Sequence, residues 1–99
     1  MNKKERMKGI TLEAWKAVGT ARRGLIAEEY ARILVTSHLN DDVKVTMLAM
    51  LPRIGWALNE LAAEGYGYNS SSEAHYDRDK AGKLSVNNKK SVWVLKEAA

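Results

Sequence analysis

A chain of 99 residues with 45% hydrophobic and 28% charged content has the size and make-up of one globular domain, too small to hold a core and a deep catalytic cleft together. The absence of cysteine excludes disulfides, thiolate nucleophiles and cysteine-ligated zinc, and suits a reducing, cytoplasmic setting. The net charge of +4 divides unevenly. Seven Lys/Arg against two Glu give +5 over residues 1–23, three cations against six acids give −3 over 24–68, and six against four give +2 from 69 onward. Both ends are basic and the middle is acidic, so a polyanion could bridge the ends if folding joins them; ordinary solubilising charge is the alternative.

In chain order, residues 1–9 read as a mobile basic arm, because four cations with little apolar content cannot repay the entropy of ordering. The start is charged, with no secretory apolar run, and no stretch of about 18 apolar residues occurs, so no membrane association is expected. Helix one is predicted from Thr11, as N-cap, through Leu12, Trp15 and Val18 to Gly19. Leu25-Ile26 reads as a short strand. Helix two is predicted over about 27–37, with Glu28 and Glu29 in its first turn and Ile26, Tyr30, Ile33 and Leu34 as its apolar stripe.

His38 to Asp42 reads as a loop ending in capping residues, followed by an apolar helix through Val43, Met47, Leu48 and Leu51. Pro52 should kink or break it, and can itself begin a helix that continues through Ile54, Leu58 and Leu61 to a Gly65 cap. Beyond Gly65 the period changes to two. A strand near Tyr66 to Ser70 is predicted to pair with one near Ser91 to Leu95, with a third short strand near His75-Tyr76 or Leu84 to Val86. Asp77 to Lys83 and Asn87-Asn88 are turn-like. The fold class is α+β: three or four helices, then a C-terminal hairpin.

Helices ending in Leu58-x-x-Leu61-x-x-x-Gly65-Tyr66, followed by a hairpin with a basic tip, resemble the winged helix-turn-helix superfamily. The resemblance covers residues 10–96 as architecture and Leu58 to Tyr66 as sequence. It implies that the helix before the glycine enters the major groove and that the hairpin wing touches backbone or minor groove. Arg53, Trp56, Asn59 and Glu60 then form the exposed face of the reading helix. This chain departs from the superfamily pattern in the length of the segment before Gly65, in Pro52 within it, and in the scarcity of cations on that last helix.

Two registers compete. In the preferred one, helix two is the first helix of the motif and Val43 to Glu64 is one long kinked reading helix, bringing Lys44 and Thr46 to the DNA beside Arg53. In the other, Val43 to Leu51 and Arg53 to Glu64 are the two motif helices, with Pro52 at the turn.

Arg53 and Asn59 are the base-reading candidates, since such side chains pair bidentately with guanine and adenine edges, at about 1–3 kcal/mol of discrimination each. Arg78, Lys80, Lys83, Lys89 and Lys90 on the wing would contact phosphates, and Arg22 with Arg23 could clamp another. For each of these the competing reading is a solvated surface. Trp15, Trp56 and Trp93 read as core before base-stacking platforms. Met47, Met50 and Leu51 read as core before a dimer face. His38 and His75 have carboxylates nearby but no metal-ligand spacing, and no catalytic motif is present. The expectation is a non-enzymatic, cofactor-free binder of double-stranded DNA, with a homodimer or protein partner possible. The alternative is a protein-interaction module that uses the acidic, Met-rich helical face.

Overall fold

The computed structural model describes residues 2–70, 76–78, 84–86 and 92–96. The first helix, α1 (Lys3–Val18), buries Met7, Ile10, Thr11, Ala14 and Trp15. These positions recur at i, i+3, i+4, i+7 and i+8 and form one continuous stripe. Asn2 caps the helix, its Oδ1 accepting the Glu5 backbone N–H at 2.8 Å. The expected mobile arm at residues 1–9 and the helix start at Thr11 are therefore corrected: Met7 and Ile10 open the same stripe as Trp15, and Thr11 lies inside the helix, fully buried.

The second helix, α2 (Arg23–Thr36), inserts Ile26, Tyr30 and Leu34 against α1. It starts earlier than predicted and absorbs Leu25-Ile26, because Ile26 completes the i, i+4, i+8 stripe. Glu28 and Glu29 consequently lie beyond the first turn, where Glu29 pairs with Arg32 at 2.7 Å. The expected strand is shifted to Ala21, whose N–H and C=O both pair with Trp93.

Asn40 caps α3 (Asp41–Ala49) by accepting the Val43 N–H at 2.9 Å, and Asp41 and Asp42 occupy its first turn, where the helix dipole favours acids. Leu51–Arg53 then forms a 3-10 turn with Pro52 inside it, before α4 (Ile54–Ala63). The single long kinked helix over Val43 to Glu64 is thus corrected to two helices, since proline cannot supply the backbone donor that continuity requires. Gly65, at φ 99°, ends α4 in a left-handed cap: Tyr66 N–H donates to Leu61 O and Gly65 N–H to Ala62 O.

The core joins Trp15, Tyr30, Leu34, Met47, Leu58, Leu61 and Trp93. Tyr30 and Trp15 lie fully inside, and each satisfies its polar atom: Tyr30 Oη–H donates to Met47 O at 2.8 Å, and Trp15 Nε1–H to Trp93 O at 3.3 Å. Burial pushes the Tyr30 phenol up to about 12.

Strand β1 (Gly67–Asn69) pairs antiparallel with β4 (Trp93–Leu95), and β2 (Tyr76–Arg78) with β3 (Leu84–Val86). In the first pair Gly67 faces Leu95, and in the second, a separate two-stranded ladder, Arg78 faces Leu84. With the Ala21 bridge, β4 lies between Ala21 and β1. The fold is α+β.

Candidate nucleic-acid interface

Helix α4 is fixed by its buried stripe. Ile54, Ala57, Leu58 and Leu61 face α1 and the sheet, which at 100° per residue turns Asn59 and Ala63 outward. Trp56 and Glu60 flank this open face on one side, Gly55 and Ala62 on the other. Arg53, Asn59 and Glu60 are exposed, as the sequence reading placed them, whereas Trp56 is half-buried rather than on the exposed face. Lys4 of α1 lies over the Trp56 ring, 5.5 Å from its centroid.

The opposite flank holds a contact between elements distant in sequence. A Cβ placed on Gly55 would stand 3.5 Å from Arg23 Nη1 and 3.9 Å from its Cδ. Arg23, the first residue of α2, thus lays its side chain against the first turn of α4, two residues from exposed Arg53. Arg23 reaches this flank of α4, and Arg53 is exposed just before the helix begins. The backbone donors there are taken: Arg53 N–H bonds Met50 O at 2.8 Å and Ile54 N–H bonds Leu51 O. An anion at this corner would be held by side chains rather than by a bare helix terminus.

Arg22 caps α2 and is exposed. The Thr20 hydroxyl accepts the Leu95 N–H, and Ala21 pairs with Trp93. The antiparallel course therefore carries Arg22 toward the start of β4, where the returning arm of the hairpin enters.

The other N-terminal cations have neighbours on the surface of the fold. Besides Lys4 on Trp56, Lys8 Nζ meets Glu64 Oε1 at 2.7 Å, and Lys16 lies 5.7 Å from the Tyr66 ring centroid. The Glu64 hydrogen bond holds the Lys8 ammonium above the usual lysine range. Lys3 and Arg6 line a surface cleft of about 240 Å³ with Asp42, Val43, Thr46 and Met47. Thr46 is thus beside the first turns of α1, its hydroxyl donating to Asp42 O at 2.9 Å. Lys44 is half-buried on the same helix. With α3 and α4 separate, neither lies on the helix that ends at Gly65.

Arg78 lies on β2, its backbone in register with Leu84. Lys80, Lys83, Lys89, Lys90 and His75 lie outside the described residues. Sequence reasoning had no signal for the Arg23–Gly55 contact, which only the packing of α2 against α4 creates. His38 is exposed, and among the described residues no group of His, Asp and Glu is placed to hold a metal. Among them, too, no helix is long and apolar enough to cross a membrane. No protein-family model matches this chain, and neither a curated protein nor a solved structure does.

Proposed function

We propose that this chain binds double-stranded DNA without catalysis, laying the open face of α4 in the major groove and its hairpin along the backbone, in the manner of a winged helix-turn-helix protein. The reading rests chiefly on the cations at the start of α4, with Arg53 exposed just before it and Arg23 laid against Gly55 in its first turn. The strand arrangement supports it: a single bridging residue between the first two helices, β4 between that residue and β1, and a further antiparallel pair, β2 with β3, between β1 and β4 in the chain. Break and turn at Leu51–Arg53 favour α3 and α4 as the motif pair. Arg23, Arg53 and Arg22 contact phosphates, Asn59 reads a base edge, and Arg78 with Lys80, Lys83, Lys89 and Lys90 extends the phosphate contact along the wing.

Fluorescence anisotropy on a labelled duplex, repeated across salt concentrations, tests this. Affinity should be measurable at low salt and fall linearly with log salt, and neutralising Lys80, Lys83, Lys89 and Lys90 should flatten the slope. Absence of binding at low salt overturns the proposal.

A second reading, a protein-interaction module, draws on α3. There Val45 and Leu48 are 66% and 40% exposed beside Asp41 and Asp42. Val45→Asp would abolish partner binding on that reading and leave DNA affinity unchanged on the first.

A further inference from the structure

We infer that Tyr66 and Tyr68 form a stacking platform for single-stranded DNA, with Lys16 and Lys96 holding its phosphates. The site lies apart from the open face of α4 and stands independently of the duplex reading. The pleat of β1 builds the platform. A Cβ on Gly67 would meet the Trp15 ring, so this residue faces the core. Tyr66 and Tyr68, on either side of it, turn the opposite way. They are 38% and 42% exposed and neither is a core residue, unlike buried Tyr30. The ladder to β4 reaches both: Tyr68 faces Val94, and Tyr66 O accepts the Lys96 N–H at 2.9 Å. Residues two apart on a strand stand about 6.6 Å apart, about twice the step of about 3.4 Å between stacked bases. Adjacent bases of a duplex therefore cannot each lie on a ring, whereas the unstacked bases of an extended single strand can.

Charge selects an anionic partner. Lys16 Nζ lies 5.7 Å from the Tyr66 ring centroid, and Lys96 is exposed opposite Tyr66. Among the described residues neither lysine has an ion pair. Glu64, the acid nearest in sequence to the two rings, is taken by Lys8, and Glu13, three residues before Lys16, forms no ion pair with it. Aromatic rings beside unpaired ammonium groups suit a polyanion whose every base has a π face. Val94, half-buried opposite Tyr68, adds an apolar neighbour for the thymine methyl, which uracil lacks, and this favours DNA over RNA.

The test is fluorescence anisotropy on a labelled oligothymidylate of about ten nucleotides, across a salt series and with thermal melts as the check on folding. Wild type should bind at low salt. Tyr66→Ala and Tyr68→Ala should each weaken binding by about fivefold or more, the share of one stacked base. Tyr68→Leu, which keeps apolar bulk without a π face, should lose as much as Tyr68→Ala, and Tyr68→Phe should bind within about twofold of wild type. Lys16→Gln and Lys96→Gln should each lower the salt slope by about 0.7, the share of one phosphate on a single strand. Oligouridylate should bind more weakly than oligothymidylate. On the same strand annealed to its complement the tyrosine variants should match wild type and Arg53→Ala should not, so the two surfaces fail separately. No binding of oligothymidylate by wild type, wild-type affinity in Tyr66→Ala or Tyr68→Leu, or tighter binding of oligouridylate overturns the inference.

Discussion

Trp15 and Trp93 meet edge to face, with ring centroids 6.0 Å apart and planes at 83°, while the Trp15 indole N–H donates to the Trp93 carbonyl oxygen. This pair fastens α1 to the central strand, which also carries the Ala21 bridge. Trp93→Ala should therefore destabilise the fold by about 3–5 kcal/mol, as loss of a large buried ring does. Trp15→Phe, which keeps a ring and loses the donor, should cost about 1 kcal/mol. Urea unfolding measures both; near-equal losses would contradict the separate roles of ring and hydrogen bond.

Gly67 lies under the same pair. A Cβ there would collide with the Val94 carbonyl oxygen and stand 2.5 Å from Trp15 Cη2. Neither backbone nor indole can give way cheaply, so Gly67→Ala should destabilise by about 3 kcal/mol. A midpoint unchanged from wild type in denaturant would show that β1 does not approach Trp15 this closely.

Thr11 is fully buried, and its hydroxyl has no hydrogen-bond partner among the described residues. Thr11→Val keeps the shape and removes the unsatisfied group, and should stabilise by about 1 kcal/mol in the same unfolding assay. A destabilised variant would mean that the hydroxyl is bonded in solution.

The raised Tyr30 phenol predicts an alkaline limit. The folded protein holds the phenolic proton up to about pH 12, whereas the unfolded chain releases it from about pH 10. The Tyr30 contribution is complete below pH 10 and lost as pH rises to 12. Tyr30→Phe, which abandons the bond to Met47 O, should be less stable than wild type by about 1 kcal/mol at neutral pH. The gap should close and then reverse between pH 10 and 12, because a pKa raised from 10 to about 12 corresponds to about 2.7 kcal/mol; a gap constant with pH would refute the shift.

What the sequence made legible were features carried by local pattern: the Ile26, Tyr30, Leu34 stripe, the Gly19 and Gly65 caps, and the pairing of β1 with β4. Features set by tertiary partners were not. Lys4 and Lys8 made residues 1–9 look solvated, yet they lie on Trp56 and Glu64 while Met7 is buried beneath. Ala21 has no strand signature of its own and is a strand residue only because Trp93 offers both backbone groups. At the candidate site, the exposure of Arg53 and Asn59 followed from helical periodicity, whereas the arrival of Arg23 at Gly55 depended on how α2 packs across α4.

The DNA-binding proposal is tested most directly by titrating the isotope-labelled protein with a short duplex and mapping the amide shifts. The account predicts shifts concentrated at Arg22, Arg23, Arg53, Trp56 and Asn59 and along β2 and β3, with Val45 and Leu48 on α3 silent. Shifts confined to α3, or none at low salt, would contradict it.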